Sequence, residues 1–371
     1  MVRVRHAPLI AAAVVLLSVA LGGAAFFASA HIVVRAEEAV MKTSKRLDLN
    51  PPAFMRSLPM SAKRVDTASI VLVGDVMLDR NVAARIRRAG DDAYPFRKMR
   101  DDPRFTEADL RVLNLEGPVT TRRAAPDKGE VDFMFDPRFV QVLKDVGFDA
   151  ASQANNHTLD QGRAGADDSR KRLLAGGLLA FGDQSDEGAV AVATTTVRGR
   201  RIALVGFDET SAKLDEAAAS TTLALARRSA DTVIAVMHWG AEYQDTPLRS
   251  VQERAHWLID RGVDVVVGGH PHWAQGISVY KGKPILWSLG NFVFDQDWSV
   301  KTKQGLTVRL TVSDVETAIE LNPVQIDASQ PRFLDGTERD ARLRDLASIS
   351  DASLTHQILQ GRVVVPTPSA E

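Results

Sequence analysis

The segment "VDVVVGGHPHWAQG", residues 263–276, contains the pattern that decides the fold class. Its branched apolar run, Val265 to Val267, predicts a short buried strand that ends at two glycines. Two histidines, His270 and His272, follow directly. In open α/β sheets, ligands collect at the carboxyl ends of strands, on the loops that follow them. The segment therefore predicts an α/β sheet with a site at its edge.

The same pattern, an apolar run followed by polar or glycine residues, recurs along the chain. Six further apolar runs end in polar or glycine-rich residues: 68–75, 108–117, 148–157, 200–209, 231–240 and 283–292. Helix-like stretches lie between several of these runs: 137–146, 164–175, 214–228 and 247–261. Strands that alternate with helices predict a layered α/β domain. Turn-like segments at 197–201 and 279–284 predict neighbouring antiparallel strands, so the sheets should be mixed.

The N-terminus has the features of a membrane or secretory segment. Arg3 and Arg5 precede an uncharged apolar run at residues 9–30, which is long enough to span a bilayer as a helix. Because the basic residues come first, the remainder of the chain should lie outside the cytoplasm. The small residues "ASA" at 28–30 also fit a signal-peptide cleavage site. We expect either a single-pass anchor in the cell membrane or a secreted or periplasmic protein.

The chain is expected to divide into four parts. Residues 1–30 form the signal anchor or signal peptide, and residues 31–65, with Pro51 and Pro52, read as a linker. The α/β domain is predicted over 66–325. Residues 326–371 are predicted to form a C-terminal helix followed by a tail.

Composition excludes several functional classes. The chain of 371 residues contains no cysteine, which rules out disulfides, thiolate metal sites and cysteine nucleophiles. Its 46 basic and 47 acidic residues give a formal net charge of −1, and no basic stripe is interleaved with aromatic residues. Nucleic acid is therefore not an expected partner. Any metal must bind to His, Asp, Glu or Asn side chains.

The predicted strand ends carry an unusual set of polar side chains. These are Asp75, Asn114, Glu116, Asn155, Asn156, His157, His238, His270 and His272. Carboxylates, amide oxygens and imidazoles together form a ligand set that suits Mn, Fe or Zn. Four of the eight histidines of the chain belong to this set. The set as a whole predicts a metal site, with the remaining groups available as proton donors.

Each of these residues also has a simpler interpretation when it is taken alone. An aspartate after a strand, such as Asp75, often caps a helix or a turn. His238, beside Trp239, is compatible with a hydrogen-bonded core histidine. Asn155 and Asn156 can act as turn residues. Only their joint occurrence at strand ends favours chemistry over packing.

Six motifs, in this order, resemble the capsule-biosynthesis CapA family. They are "GDVMLDR", "NLEGPVT", "NNHTLDQG", "HWGAEY", "GGHPHWAQG" and "WSLGNFVFD", between residues 74 and 295. That family includes the membrane-anchored subunit of bacterial poly-γ-glutamate synthesis and export complexes. The resemblance implies a role in capsule or poly-γ-glutamate biosynthesis or export, with the other subunits of such a complex as partners.

The CapA family in turn is similar to the calcineurin-like metallophosphoesterases. This resemblance implies a four-layer α/β/β/α sandwich with mixed sheets and a site for one or two divalent metal ions. The metal ligands it implies are Asp75, Glu116, Asn156, His238, His270 and His272. The catalytic residues it implies are Asn156 and His157, with His157 as the proton donor.

One position departs from the phosphoesterase pattern. Those enzymes have a histidine two residues after the first aspartate, where this chain has Met77, a poor ligand for hard cations. The departure is expected to weaken the metal position of Asp75, Glu116 and His272. Asp79 is a candidate substitute ligand with a different geometry. The other position would be held by Glu116 with three further ligands: Asn156, His238 and His270.

Two functions remain open from the sequence. The first is a metal-dependent hydrolase that uses a metal-activated water and acts on an anionic polymer or a phosphoester. Retention of both Asn156 and His157 favours this function, because a structural site needs no proton donor. The second is a non-catalytic polymer-binding subunit of an export complex with a residual or structural metal site. Met77 favours the second.

Overall fold

Two β-sheets form the centre of the structure. The computed structural model describes residues 67–124, 131–182, 192–210 and 212–367, and these belong to one compact unit. Nine strands within these ranges form the larger sheet: β1 (Ala68–Val76), β2 (Leu110–Leu115), β3 (Ala150–Ser152), β4 (Leu179–Phe181), β11 (Asn291–Val293), β12 (Gln304–Val312), β13 (Glu316–Asp327), β14 (Gln330–Phe333) and β15 (Arg362–Pro366). The remaining six form the smaller sheet: β5 (Val192–Val197), β6 (Arg200–Asp208), β7 (Thr232–His238), β8 (Val265–Gly269), β9 (Ile277–Tyr280) and β10 (Lys283–Leu286).

Both sheets are mixed. The larger sheet has the order β14-β13-β12-β1-β2-β3-β4, and β11 and β15 pair with β1 and β13 respectively. Strands β1 to β4 are parallel, whereas β12 is antiparallel to both β1 and β13. The smaller sheet has the order β5-β6-β7-β8-β10-β9, with a parallel centre and an antiparallel strand at each edge. The α/β class with mixed sheets is therefore confirmed.

Helices flank the sheets. Eight lie in the described ranges: α1 (Arg80–Ala89), α2 (Pro103–Thr106), α3 (Phe139–Val146), α4 (Gly162–Ala175), α5 (Glu216–Ser229), α6 (Arg249–Ile259), α7 (Gly336–Ser348) and α8 (Thr355–Leu359). Helices α3 to α6 correspond to the four helical stretches predicted from sequence. Helix α1 was not predicted, because only Val82 and Ile86 of its ten residues are buried and four of the ten are arginines, so few apolar residues indicate a helix.

Three hydrophobic clusters separate the layers. The central cluster joins the facing sides of the two sheets, with Leu72 of β1 and Val236 of β7 among its members. A second cluster lies on the outer face of the larger sheet, where α1, α3 and α4 pack. A third lies under α5 and α6 on the outer face of the smaller sheet. The order of layers is thus helix, sheet, sheet, helix.

The C-terminal part of the chain differs from the prediction. The predicted domain boundary at residue 325 falls inside β13, which continues to Asp327. Beyond α7, where the sequence predicts a tail, residues 362–366 form β15, which pairs with β13 and places Val363 opposite Ile319. Val363 and Val365 belong to the central core. The segment is part of the larger sheet because its alternating valines bury one face of the strand.

The predicted segments at 1–30 and 31–65 lie outside the described residues, so they stay predictions. In the part of the chain that the structure describes, no helix has the length and apolar character needed to cross a membrane.

Candidate metal centre

The strand-end residues predicted from sequence meet where the two sheets place the carboxyl ends of their parallel strands. The larger sheet supplies Asp75 from β1, Glu116 from the residue after β2, and Asn156 and His157 from the loop after β3. The smaller sheet supplies His238, the last residue of β7, and His270 and His272 from the loop after β8. Parallel strands in both sheets therefore bring these groups to one edge of the sandwich.

Three of these side chains form a compact triad. One ligand atom from each of Asp75, Glu116 and His272 lies within 4.8 Å of the others, and all three residues are buried. His272 Nδ1 is 3.6 Å from Asp75 Oδ2, and His272 Nε2 is 3.9 Å from Glu116 Oε1. Two carboxylates and an imidazole at such distances can hold a divalent cation. This is the metal position that the sequence predicts to be weakened by Met77.

Glu116 is the strongest indication that the triad is built for a cation. Its side chain is fully buried, and neither carboxylate oxygen has a hydrogen-bond partner among the described residues. Burial raises the pKa of Glu116 well above its usual value, and the nearby charge of Asp75 raises it further. An unpartnered buried carboxylate is costly, and coordination of a cation removes that cost. The residues present therefore fit a metal ion.

Asp75 is held in place by two donors. Its Oδ1 accepts a hydrogen bond of 2.8 Å from Asn114 Nδ2, and its Oδ2 accepts one of 3.3 Å from the backbone N–H of His270. Asn114 is in turn bonded by Asn155, whose Nδ2 donates to its Oδ1 at 3.0 Å. Burial raises the pKa of Asp75, although His272 and both donors oppose the shift. Asn155 thus supports the site through Asn114.

A second group of side chains adjoins the triad. The imidazole rings of His238 and His270 have their centroids 4.9 Å apart. His238 Nε2 is 2.9 Å from Asn156 Oδ1, and His270 Nδ1 is a buried atom that has no hydrogen-bond partner among the described residues. Burial lowers the pKa of His238 well below its usual value and that of His270 to about 4. Both imidazoles are therefore neutral near pH 7, the form that binds metals.

His272 has the opposite electrostatic setting. Burial lowers its pKa, but the charge of Glu116, the contact with Glu242 and the charge of Asp75 together raise it to about 9. Its Nδ1 lies 2.9 Å from Asn291 Oδ1, and its Nε2 lies 3.7 Å from Glu242 Oε1. Without a cation, His272 itself supplies the positive charge that the carboxylates require.

The sequence inventory of strand-end residues omits Asn291 and Glu242. Asn291 is the first residue of β11 and is opposite Asp75 in the register with β1, so its contact with His272 depends on sheet pairing. Its Nδ2 donates to Gln296 Oε1 and to the Thr302 carbonyl, each at 3.0 Å, which fixes the amide orientation. Asn291 belongs to the motif "WSLGNFVFD" and Glu242 to the motif "HWGAEY". Their presence in these motifs is the sequence signal by which they could have been predicted.

Met77 and Asp79 take structural roles. Met77 is fully buried in the outer hydrophobic cluster of the larger sheet, and its Sδ accepts a hydrogen bond from the backbone N–H of Asp79 at 3.0 Å. Asp79 is the N-cap of α1, and its Oδ2 also accepts a bond of 3.0 Å from the Met134 N–H. Both oxygens of Asp79 are therefore engaged, and Asp79 is not a substitute for the missing histidine.

The predicted proton donor has an orienting partner. His157 Nδ1 is 2.8 Å from Asp160 Oδ2, and the same carboxylate oxygen accepts a bond of 2.7 Å from the Phe133 N–H. No described residue bonds to His157 Nε2. The Asp160 carboxylate favours the tautomer with hydrogen on Nδ1 and leaves Nε2 available for exchange with a ligand.

The glycines of "GGHPH" are required by close packing. A Cβ on Gly269 would lie 2.7 Å from Asp75 Oδ1, and one on Gly268 would lie 2.0 Å from the Trp287 carbonyl oxygen. The histidines that follow have φ angles of 89° at His270 and 57° at His272, in the left-handed region. Such strained non-glycine residues occur preferentially at functional sites.

The chain matches the family model described as bacterial capsule synthesis protein PGA_cap over residues 69–296. This range contains every residue of the candidate centre. The chain belongs to this family. Within the PGA_cap family it is similar to the PGA biosynthesis protein CapA of Bacillus subtilis, with 30% identity over 80% of this chain and 82% of the relative. It is also similar to the capsule biosynthesis protein CapA of Bacillus anthracis, with 29% identity over 74% of this chain and 71% of the relative.

Among solved structures, the chain is similar to the crystal structure of a novel phosphatase from Mycoplasma pneumoniae. The two share 14% identity, with a TM-score of 0.40, over 72% of this chain and 91% of the phosphatase.

Proposed function

We propose that this protein is a metal-dependent hydrolase of capsule or poly-γ-glutamate biosynthesis or export that acts outside the cytoplasm. The observation that carries the proposal is a buried Glu116 carboxylate without a hydrogen-bond partner among the described residues. The His157–Asp160 pair, positioned on the loop after β3, adds a proton donor. A cation site alone would support a structural role, whereas a cation site with an oriented imidazole supports hydrolysis.

The residues that would hold a divalent metal are those of the triad, Asp75, Glu116 and His272. His238, His270 and Asn156 are the residues for a second ion of the Mn, Fe or Zn class. When bound, the metal supplies a Lewis acid that activates a water molecule and polarises the scissile bond.

His157 supplies the proton for the leaving group. Its Nδ1–H is held by Asp160, so Nε2 carries the exchangeable proton when the ring is protonated. The Phe133 ring lies 4.2 Å from the His157 ring, centroid to centroid, and limits its movement. The Asp160 carboxylate stabilises the imidazolium before the transfer and the correct tautomer after it.

The family and the chemistry of the site support the proposed substrate class. The relative in Bacillus subtilis is named as a PGA biosynthesis protein. A Lewis acid beside a proton donor can cleave the amide of a γ-linked glutamate polymer or a phosphoester. We propose an anionic polymer or a phosphoester as substrate, with capsule-synthesis subunits as partners.

The location is also a proposal. The apolar run at residues 9–30 behind two arginines supports a single-pass anchor in the cell membrane with the domain outside, or a secreted domain if the segment is cleaved. Protease added to intact cells should degrade the domain. Protection of the domain until the cells are lysed would contradict an outside location.

Turnover by the full chain tests the enzyme proposal. The purified protein, loaded with Mn²⁺ or Zn²⁺, is incubated with poly-γ-glutamate and separately with a chromogenic phosphodiester. We expect hydrolysis of one of them, a large loss with His157→Ala and no change with His356→Ala, which replaces an exposed histidine of α8. Intact substrates in the presence of a stoichiometric metal would reject the hydrolase.

The alternative is a non-catalytic polymer-binding subunit. The observation in its favour is Met77, which occupies the place of a phosphoesterase histidine and is buried in the core. This alternative predicts polymer binding without turnover, and equal function of wild type and His157→Ala in cells that make the polymer.

A further inference from the structure

We propose that Arg80 forms an anion subsite beside the candidate metal centre and binds a carboxylate or phosphate group of the substrate next to the reacting bond. The inference rests on the proposed function, because it specifies the charge of the substrate that the same site accepts. Arg80 is the last residue of the motif "GDVMLDR" and the first residue of α1.

The Arg80 guanidinium lies over the same two phenyl rings that contact the site histidines. Its central carbon is 5.0 Å from the Phe133 ring centroid and 5.8 Å from that of Phe294. Phe133 packs against His157 with centroids 4.2 Å apart, and Phe294 packs against His272 with centroids 4.9 Å apart. The Phe133 ring therefore contacts both the guanidinium and the proton donor His157, and the Phe294 ring contacts both the guanidinium and His272 of the metal triad.

The guanidinium is fixed in position but remains open to a ligand. One Nη atom forms an ion pair with Asp295, whose side chain is almost completely buried. The side chain of Arg80 is 37% exposed to solvent. Its guanidinium donates no other hydrogen bond to the described residues. A guanidinium has five N–H donors, so several remain for an anion. Aromatic packing and the ion pair reduce the entropy that the side chain loses on binding.

The backbone of Arg80 supports a functional reason for its position. Eight non-glycine residues of the described chain have positive φ, and four of these lie in hairpin turns, where such angles are ordinary: Arg198, Lys281, Ala328 and Ser329. The other four surround the candidate centre: Arg80, Tyr243, His270 and His272. Arg80 has φ of 47° although glycine would adopt this angle at lower cost. Strain at a functional site is retained when a particular side chain is needed there.

The positive charge of Arg80 affects the ionisation of the candidate metal centre. Burial raises the pKa of Glu116, and Arg80 is among the groups that oppose this rise. Carboxylate and phosphate are both oxyanions that a guanidinium binds with two parallel hydrogen bonds. A γ-linked glutamate polymer has a free carboxylate on the carbon next to each amide nitrogen, and a phosphoester carries its charge on the reacting group. Both substrate classes therefore place an anion close to the bond that breaks.

Binding to the full chain loaded with Mn²⁺ tests the subsite. The probes are a short end-capped γ-linked glutamate oligomer, the end-capped γ-linked isoglutamine oligomer of equal length, in which each α-carboxylate is replaced by an uncharged amide, and inorganic phosphate, each titrated by calorimetry. We expect Arg80→Ala and Arg80→Gly to weaken binding of at least one anion about tenfold or more, with unchanged metal stoichiometry. Arg80→Lys should recover part of the affinity. Arg80→Gly also suits the positive φ, which guards against loss of the fold.

Arg85→Ala is the matched control. Arg85 lies on the same helix and pairs with Asp297, two residues after the partner of Arg80. Its loss therefore removes an arginine–aspartate ion pair from this helix at a position where no aromatic ring of the described residues packs against the guanidinium. This variant should bind every probe as the wild type does.

The outcomes separate the two anion sources and the two proposals. A loss confined to the glutamate oligomer identifies a polymer carboxylate, and a loss confined to phosphate identifies a phosphoester. Wild-type affinity of Arg80→Gly for both anions, equal binding of charged and uncharged oligomers, or absence of anion binding by the wild type would each overturn the subsite. Absence of turnover with Arg80-dependent binding would instead reject only the hydrolase.

Discussion

Glu116 and His272 meet across the ends of the two sheets, with Glu116 Oε1 3.9 Å from His272 Nε2. Glu116 follows β2 of the larger sheet and His272 follows β8 of the smaller one. Both side chains are buried, and the carboxylate has no hydrogen-bond partner in the described structure. The contact therefore exists only when the two sheets are packed together, and it couples the metal centre to the stability of the sandwich.

The first prediction concerns Glu116→Gln. In the metal-free protein above pH 9, where His272 has lost its positive charge, we expect this variant to raise the free energy of unfolding by about 1–3 kcal/mol, because an uncharged amide costs less to bury beside Asp75 than a carboxylate. With saturating Mn²⁺ the order should reverse, since a ligand at 100 times its Kd stabilises the wild type by about 2.7 kcal/mol. Urea denaturation with and without metal measures both values. A variant that is less stable than the wild type in both states would contradict the cation-site interpretation of Glu116.

The second prediction concerns the pH dependence of the metal-free protein. His272 has an ordinary pKa of 6.5 and a folded-state pKa of about 9, so its charged form stabilises the fold fully below pH 6.5. That contribution, on the order of 3 kcal/mol, should be lost as the pH rises from 6.5 through 9. Thermal melts across this range measure it. His272→Gln and metal loading should each flatten the profile, and an equally steep profile in His272→Gln would show that another group is responsible.

The third prediction concerns Asp160→Asn. The amide keeps an oxygen that can accept the Phe133 N–H, but it removes the charge that holds His157 in its tautomer. We expect turnover to fall about 10²–10⁴-fold, with metal content and melting temperature close to those of the wild type. Steady-state kinetics on whichever substrate the wild type cleaves provides the measurement. Full activity of the variant would contradict the role of Asp160 in orienting His157.

The fourth prediction concerns Asn291→Ala. Asn291 orients the His272 ring through Nδ1, and its own amide is fixed by Gln296 and Thr302. Loss of such an orienting partner typically weakens metal binding 10–100-fold. Competition with a fluorescent chelator should show this decrease. Asn322→Ala, on the neighbouring part of the same sheet but away from the centre, should leave metal affinity unchanged.

Much of the fold can be predicted from the sequence, because strands and helices are indicated by the local spacing of apolar residues. Branched runs at residues 68–75 and 231–240 read as strands, and the helical stretches between them match α3 to α6. Helix α1 and strand β15 were missed because α1 buries only two residues and β15 has five residues followed by a proline-containing end. Short elements, and elements with few buried residues, are specified largely by the surfaces on which they pack.

The sequence by itself determined the α/β class, the family and the set of polar residues at the strand ends. Only the tertiary structure decided how these residues are grouped: Asp75, Glu116 and His272 form the compact triad, although Met77 predicts this position to be the weaker one. It also decided that Met77 and Asp79 serve the core and the cap of α1, and that Asn291 supports His272. The physical reason is that strand periodicity specifies which residues reach an edge, whereas distances between side chains of different sheets depend on register and packing.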